Sequence, residues 1–300
     1  MERILQSFKD LYKCENVVKR HLWYAVLMIL PGMLGAMRYI VDKDTPKDVL
    51  LIGLIAMAII ALLAIVPTLF SFGLYIDFFK DRLEGKTGIP QLKGETLITG
   101  LKYFPLSFVW GLYFGLIFIV LFFIPMFGLI GYFTSTKSPD PATIIFSILF
   151  IILFFILAMV IFLVVGPFFN YITAKYAKLG YYTADMFNPF TLFGYMKKAF
   201  KSTMLVMLKM LLASFLVNII ASCVTGVLTL LIIAITAFAI MTTGGENADK
   251  AMYSAGVILT VIPIATLCGV IQAYATGMVG FAAADNYVEV YKEEIEPCEE

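Results

Sequence analysis

Long apolar runs are the feature that most limits what this chain can fold into. Five of them exceed the roughly 20 residues that an α-helix needs to cross the hydrocarbon core of a bilayer: residues 49–79, 103–133, 142–169, 204–242 and 252–284. A shorter run at 22–40 reaches that length, because Arg38 near its end can extend its charged group to the interface. The chain is 61% hydrophobic and 14% charged, and a soluble fold of 300 residues could not bury so much apolar surface. The sequence therefore predicts a single transmembrane domain over residues 1–300, an all-α, polytopic integral membrane bundle with about six transmembrane helices.

Basic residues are distributed unequally between the segments that connect these runs. Fifteen lysines and arginines lie in three long segments, 1–21, 80–102 and 170–203. Four lie in three short segments, 41–48, 134–141 and 243–251. Because cytoplasmic loops are enriched in Lys and Arg, the long segments are predicted to be cytoplasmic. The six spans then form three hairpins in the cell membrane, with both termini in the cytoplasm.

Two cytoplasmic segments, 2–13 and 192–201, have the pattern of amphipathic helices. In each, apolar residues recur at helical spacing on one face and charged residues occupy the other. Such helices are predicted to lie in the membrane interface. They either turn the chain towards the next span or sense a lipid or a partner.

The sequence also suggests a threefold internal repeat with a period near 94 residues. The hexapeptides at 4–9, 97–102 and 192–197 resemble one another, and Pro31-Gly32 precedes Pro125-Met126 by the same interval. Each repeat would be an amphipathic segment followed by a helical hairpin. Chance similarity between apolar sequences is the alternative.

Two parts of the chain need a separate interpretation. The run at 204–242 is long for one span, and we interpret it as one helix that begins in the interface. A re-entrant break near Thr225-Gly226 is the alternative. The terminal segment 289–300 holds six acids and one lysine, and it is predicted to be a solvated, disordered cytoplasmic tail.

Small residues at a spacing of four mark candidate helix contacts. They are Gly269, Ala273 and Gly277 in the last run, and Gly111 and Gly115 in the third. Small side chains let two helix backbones approach closely, so these positions are predicted to pack against another helix. The alternative is that they face lipid.

Polar uncharged residues also occur deep in the runs, at Asn218, Ser222, Thr225 and Gln272. They are interpreted as hydrogen-bonding groups between helices, and the lining of a polar passage is the alternative. The acids Asp77 and Asp285 fall at span ends, where they are interpreted as boundary residues. Since no span has a carboxylate at its centre, the chain has no evident proton relay.

The residue types that support most enzyme and metal chemistry are scarce. His21 is the only histidine, and the four cysteines form no C-x-x-C pair, so the sequence predicts no metal site. A phosphate-binding loop, a nucleophile elbow and a dinucleotide fingerprint are all missing from the sequence. The net charge of +1 provides no basic field for nucleic acid. No catalytic residue and no cofactor is therefore predicted.

One stretch resembles a known family. Gly73-Leu74-Tyr75-Ile76 leads through Phe79-Lys80-Asp81-Arg82 to Ile89-Pro90 and then to Gly100-Leu101-Lys102-Tyr103. This succession resembles the bacterial and archaeal membrane family catalogued as domain of unknown function 4013. The chain departs from the family pattern at a tryptophan, where Gln91-Leu92 stands instead. That family has no established activity, so the resemblance implies a fold and a membrane location and supplies no catalytic or binding residue.

These observations favour a non-enzymatic membrane protein that acts as a scaffold, an assembly factor or a membrane-organising component. Its predicted partners are the lipid bilayer, other membrane proteins or a second copy of the chain. A small transporter or permease subunit is the alternative, because prolines interrupt several spans and polar groups lie at depth. An intramembrane enzyme is the least favoured class.

Overall fold

The computed structural model describes residues 2–29, 47–135, 140–242 and 255–298, and nearly all of these residues are helical. The nine α-helices of these ranges are α1 (Glu2–Leu11), α2 (Val17–Leu27), α3 (Lys47–Leu83), α4 (Gly94–Phe118), α5 (Ile124–Ser135), α6 (Pro141–Val165), α7 (Phe169–Leu179), α8 (Phe190–Thr242) and α9 (Ala255–Val290). Two π-helical turns, Ile119–Phe123 and Tyr291–Ile295, continue α4 and α9. Short 3₁₀ turns occur at Gly166–Phe168, Ala184–Phe187 and Glu296–Cys298.

Five helical stretches are long and apolar enough to cross a membrane. They are Leu54–Leu83, Gly94–Ser135, Ala142–Leu179, Phe190–Ile235 and Pro263–Ile295. Each corresponds to one of the five long apolar runs, and no strand occurs in the four described ranges. The predicted all-α bundle of a multi-pass membrane protein is therefore confirmed.

The sixth predicted span, 22–40, is only partly described, since α2 covers Val17–Leu27. Pro31-Gly32 and Arg38 lie outside the described residues, as do most of the short connections 41–48, 134–141 and 243–251.

The helices extend well beyond the lengths that lipid requires. Helix α3 continues to Leu83 and α4 begins at Gly94, so the true link within the predicted cytoplasmic segment 80–102 is only 84–93. Helix α7 likewise continues to Leu179. The polar ends stay helical because they pack against one another, as the fully buried Phe78 and Phe79 near the end of α3 illustrate.

Helix α8 is 53 residues long and bends once, at Ala199, where φ is −124° and ψ is 25°. The bend falls within the segment 192–201, which was predicted to be amphipathic. Beyond it the helix passes through Thr225-Gly226 without a break. This agrees with the interpretation of 204–242 as one helix.

The described chain divides into two compact units, and each has its own buried core. The first unit comprises the described residues of Met1–Leu101 and Leu208–Asn286, and the second those of Lys102–Met207 and Tyr287–Glu300. The prediction of a single domain over 1–300 stays a prediction. In both units, the largest fully buried side chains lie near helix ends rather than at the middle of the spans. The hydrophobic effect drives side chains together only where water is present. Among lipid tails it does not favour helix–helix contact, so the packed cores form near the helix ends.

The terminal segment differs from the solvated, disordered tail that its composition predicts. It is helical through Cys298, and Tyr291 and Ile295 are 1% and 0% exposed. Two of its acids have partners in the second unit. Lys178 Nζ lies 2.6 Å from a carboxylate oxygen of Glu296, and the Ser202 hydroxyl donates to Glu294. Apolar side chains four residues apart bury one face of this segment, and the acids occupy the other.

Candidate functional site

The richest set of polar contacts in the first unit is the helix-end cluster. It consists of α1, α2, the last three turns of α3, the link 84–93, the first two turns of α4 and the part of α9 from residue 274 to residue 286. Apolar residues from α1, α2, α3, the link and α9 are buried there, among them Leu11, Leu74, Ile89 and Ala282. The cluster is therefore a folded core at the polar ends of the membrane helices.

Two glycines let α3 and α4 cross in backbone contact. A Cβ atom on Gly73 would lie 1.8 Å from the carbonyl oxygen of Thr96. A Cβ atom on Gly100 would lie 1.8 Å from the carbonyl oxygen of Leu69. Any side chain at either position would push the helices apart, so this crossing requires glycine on both helices.

The link 84–93 is fastened to the segment between α1 and α2. Gly88 adopts a φ of +85°, and a Cβ there would lie 2.3 Å from the Cβ of Cys14. Arg20 Nη1 donates to the carbonyl oxygen of Ile89 at 2.7 Å, and the Thr87 hydroxyl donates to the carbonyl oxygen of Lys13 at 2.9 Å. These bonds hold the link in one conformation, with Ile89 fully buried.

Arg82 and Asp285 form an ion pair that joins the end of α3 to the end of α9. Arg82 Nε lies 3.0 Å from Asp285 Oδ1, and the two side chains are 5% and 17% exposed. The guanidinium also stacks 4.7 Å from the ring centre of Phe78 and donates to the carbonyl oxygen of Lys86 at 2.7 Å. These contacts compensate the cost of burying its charge. Asp285 therefore acts as a structural partner at the predicted span boundary.

The second boundary acid, Asp77, also has a partner in the cluster. The hydroxyl of Thr96 donates to Asp77 Oδ2 at 3.0 Å, which joins α3 to the first turn of α4. Thr96 in turn accepts a hydrogen bond from the backbone N–H of Lys93 at 3.3 Å. Asp77 faces a cavity of about 610 Å³, whose wall carries five acids, three lysines and Arg20.

His21 lies in an aromatic pocket between α1, α2 and α9. Its ring stacks on Tyr12 with the centres 4.5 Å apart, and Nδ1 lies 2.6 Å from the hydroxyl of Tyr274. Nε2 lies 3.4 Å from the carbonyl oxygen of Leu11, which can only accept. Burial lowers the pKa of His21, and the bond to Leu11 opposes that shift. The neutral ring therefore carries its proton on Nε2, and Nδ1 accepts from Tyr274.

A comparison with known families bears directly on these contacts. The model of the family described as protein of unknown function (DUF4013) matches residues 56–230, which is more than half of the chain. The chain belongs to DUF4013. The resemblance noted in the sequence is thereby confirmed. No curated protein and no solved structure matches the chain.

The DUF4013 match includes only part of the helix-end cluster. Gly73, Gly100 and Arg82 lie within the matched residues, as do Asp77 and Thr96. Helices α1, α2 and α9 lie outside them, so His21 and Asp285 belong to the unmatched part of the chain. The glycine crossing thus lies within the part of the chain that matches DUF4013.

The predicted helix-packing residues of this DUF4013 chain differ in their surroundings. A Cβ on Gly277 would lie 1.7 Å from the hydroxyl oxygen of Tyr24, so an aromatic side chain fills that space. Gly269 and Ala273 are half-buried on α9. At Gly111 and Gly115, a Cβ would meet no atom within 4 Å among the described residues. The packing role of these five residues stays a prediction.

The polar residues at depth in α8 and α9 bond within or between these helices. Asn218 Nδ2 donates to the carbonyl oxygen of Ser214 at 2.8 Å, and the Thr225 hydroxyl donates to that of Ser222 at 3.1 Å. Gln272 Nε2 on α9 donates to the Ser222 hydroxyl on α8 at 3.3 Å. Asn218 and Ser222 border an open groove of about 460 Å³ whose walls are mainly apolar.

The second unit has polar contacts that the sequence did not single out. Trp110 Nε1 donates to the carbonyl oxygen of Met186 at 2.8 Å. Tyr103 and Thr173 share a hydrogen bond of 2.8 Å, and Tyr171 and Thr203 share one of 2.5 Å. The available signal was aromatic residues with polar tips near span ends, which is also what membrane interfaces favour. Sequence alone cannot separate a buried, hydrogen-bonded tyrosine from one that faces lipid headgroups.

Metal chemistry finds no support in the part of the chain that the structure describes. No three His, Cys, Asp or Glu side chains converge there in a way that would hold a metal ion. The ion pair and hydrogen bonds of the helix-end cluster join the ends of α3, α4 and α9 and the link 84–93.

Proposed function

We propose that this DUF4013 chain is a non-enzymatic scaffold, an assembly or membrane-organising component of a prokaryotic cell membrane. The observation that carries the proposal is the bonding of the polar groups at depth. Asn218, Thr225 and Gln272 make hydrogen bonds within α8 or between α8 and α9. Asn218 and Thr225 bond their own helix and are therefore not preorganised to coordinate a passing solute, and the Gln272 amide N–H bonds α8, so these bonds support a role in the fold.

The outer faces of the spans supply the second support. On α6 the large apolar side chains of Phe146, Leu149 and Leu153 are 75%, 57% and 61% exposed. Such faces suit acyl chains or the helices of a partner membrane protein. A scaffold would use them to gather partners.

The orientation follows from the charge distribution. We place both termini and the helix-end cluster in the cytoplasm, because the long connecting segments hold 15 basic residues and the short ones four. Helix α1 and the first turns of α8 would then lie in the cytoplasmic interface, with their lysines near anionic headgroups.

Cys223 provides a direct test of scaffold against transporter. It lies exposed beside Asn218 and Ser222 in the open groove of α8. In a variant whose other three cysteines are serine, a membrane-impermeant maleimide is applied to permeabilised membranes. If α8 faces lipid or partner helices there, Cys223 stays unlabelled until the protein is denatured, because a membrane-impermeant reagent remains in the water and does not reach it.

A matched variant controls for reagent access. Glu15→Cys in a background without other cysteines places one thiol at an exposed position between α1 and α2. This variant should be labelled rapidly in the same membranes. Labelling of Cys223 at a comparable rate would show water at that depth, which overturns the scaffold proposal and favours a small transporter or permease subunit.

A further inference from the structure

A second cavity of the first unit lies between α2, the middle of α3 and the start of α4. Its volume is about 350 Å³. Lys19, Arg20 and Lys93 contribute its three cations, Trp23 and Phe70 line it with aromatic surface, and it reaches Gly94. No acidic residue belongs to its lining. This combination differs from the larger neighbouring cavity, where acids and lysines are mixed.

One of the three cations of this cavity, Arg20, is held in place by a hydrogen bond, and the chain positions the other two beside it. Lys19 and Trp23 lie four residues apart on α2 and therefore on the same face of that helix. Arg20 is half-buried and donates from Nη1 to the carbonyl oxygen of Ile89 at 2.7 Å, which fixes its guanidinium at the rim. Lys93 immediately precedes α4, whose first N–H groups add positive potential at Gly94.

The cavity also has two chemically distinct sides. Phe70 belongs to the apolar stretch Leu54–Leu83, whereas Lys19 and Lys93 stand outside the apolar spans found by length and composition. Trp23 is 48% exposed between them, at a depth where tryptophan is enriched in membrane proteins. A ligand that fills the cavity would place an anionic group among the cations and a hydrocarbon group against the rings.

We propose that this cavity binds the headgroup of an anionic phospholipid. The phosphate lies among Lys19, Arg20 and Lys93, and the glycerol and upper acyl chain lie against Trp23 and Phe70. Inorganic phosphate could also bind among the three cations, but it has no hydrocarbon group to contact Trp23 and Phe70. The inference goes beyond the scaffold function, because a transporter could hold a lipid at the same place.

Trp23 makes the site observable. The chain has two tryptophans, so Trp110→Phe leaves Trp23 as the only indole. The full-length variant is reconstituted in phosphatidylcholine nanodiscs that contain a fraction of lipid with brominated acyl chains. In one series the brominated lipid is phosphatidylglycerol, and in the other it is phosphatidylcholine. We expect brominated phosphatidylglycerol to quench Trp23 at a lower mole fraction than brominated phosphatidylcholine. We expect no change when inorganic phosphate is added at constant ionic strength.

Charge variants separate a built site from general attraction to an anionic surface. Lys93→Gln and Lys19→Gln should each weaken the phosphatidylglycerol preference about fivefold, since a basic residue near anionic lipid contributes roughly that factor. Both lysines are exposed, so their replacement leaves the packed core intact. The matched control is Lys197→Gln with Lys198→Gln, two exposed lysines on the first turns of α8 that are not part of the cavity lining. They change the general surface charge, and the preference measured at Trp23 should stay unchanged.

Three results would overturn the proposal. Equal quenching by the two brominated lipids would show that the cavity does not select a headgroup. If the Lys197 and Lys198 control loses as much preference as Lys19→Gln or Lys93→Gln, the preference for phosphatidylglycerol comes from general surface charge and not from the cavity. Relief of quenching by inorganic phosphate would identify a free anion as the ligand.

Discussion

Gly73 tolerates no side chain, because its neighbour on α4 is a backbone atom that cannot rotate away. A Cβ there would lie 1.8 Å from the carbonyl oxygen of Thr96. We expect Gly73→Ala to lower the free energy of unfolding by about 3 kcal/mol, the upper end of the overpacking range, since α3 and α4 must separate along their crossing. Thermal unfolding of the purified full chain in detergent measures this.

Gly111 provides the matched control for that substitution. It lies on α4, where a Cβ would meet no described atom within 4 Å. Gly111→Ala should leave the unfolding temperature unchanged or raise it slightly, because alanine is the better helix former. Equal stabilities for the two alanine variants would show that the Gly73–Gly100 crossing is not tightly packed.

The two glycine sets also show what a pattern in one helix can and cannot indicate. Gly111 and Gly115 were selected because they repeat within one run, and their surroundings in the described chain are open. Gly73 and Gly100 have no such partner in their own helices, and they belong to the stretch that resembles DUF4013. Gly73 and Gly100 lie on different helices, so a search for small residues at a regular spacing within one helix does not find their contact.

At the scale of secondary-structure elements, the Arg82–Asp285 pair decides how the ends of α3 and α9 are held. We expect Arg82→Met to destabilise the fold by roughly 3 kcal/mol, the lower end of the range for breaking a buried pair, because Asp285 keeps some contact with water. The pair of Lys13 and Asp10 is the control, because Lys13 is 58% exposed, and Lys13→Met should cost about 0–1 kcal/mol. Unfolding in detergent at constant pH compares the two.

A double-mutant cycle isolates the pair from the packing of the arginine stem. If the ion pair couples the helices, Arg82→Met should cost much less in a protein that already carries Asp285→Asn. Equal costs of Arg82→Met in the two backgrounds would assign the loss to the contact with Phe78.

The suggested repeat has a counterpart in the burial of its three hexapeptides. The segments 4–9, 97–102 and 192–197 all lie in helices, namely α1, α4 and α8. Their fourth positions, Ser7, Gly100 and Tyr195, are all buried, and the lysine that ends each segment is exposed. This shared register is what a repeat predicts, although the buried residues themselves range from glycine to tyrosine.

For the whole molecule, the number and direction of the spans is the property most open to test. Single cysteines at Asp44, Ser138 and Asn247, in a background without other cysteines, sample the three short connections, which lie outside the described residues. If six spans place both termini in the cytoplasm, an impermeant maleimide added to intact cells should label all three. If these positions are labelled only after the cells are opened, the orientation is the reverse of the predicted one. If some are labelled in intact cells and others are not, the number of spans differs from six.

The sequence by itself determined the class of this protein and most of its helices. The physical reason is that a bilayer imposes a length and a composition on every spanning helix, and both can be counted in the sequence. The five long runs correspond to the five long apolar helical stretches, and the stretch around Gly73 was sufficient to indicate DUF4013. Helix ends were predicted less well, because lipid imposes no such limit on a helix beyond the membrane.

The tertiary structure alone decided which side chains meet at those ends. Composition suggested a disordered tail, but Tyr291 and Ile295 are buried because a packed surface is present for them. Asp285 was read as a boundary residue, and only the fold brings Arg82 to within 3.0 Å of it. The three cations of the cavity between α2, α3 and α4 likewise come from two segments more than 70 residues apart. Such contacts depend on the position of one helix against another, which an apolar sequence leaves open because any two apolar faces in lipid are nearly equivalent.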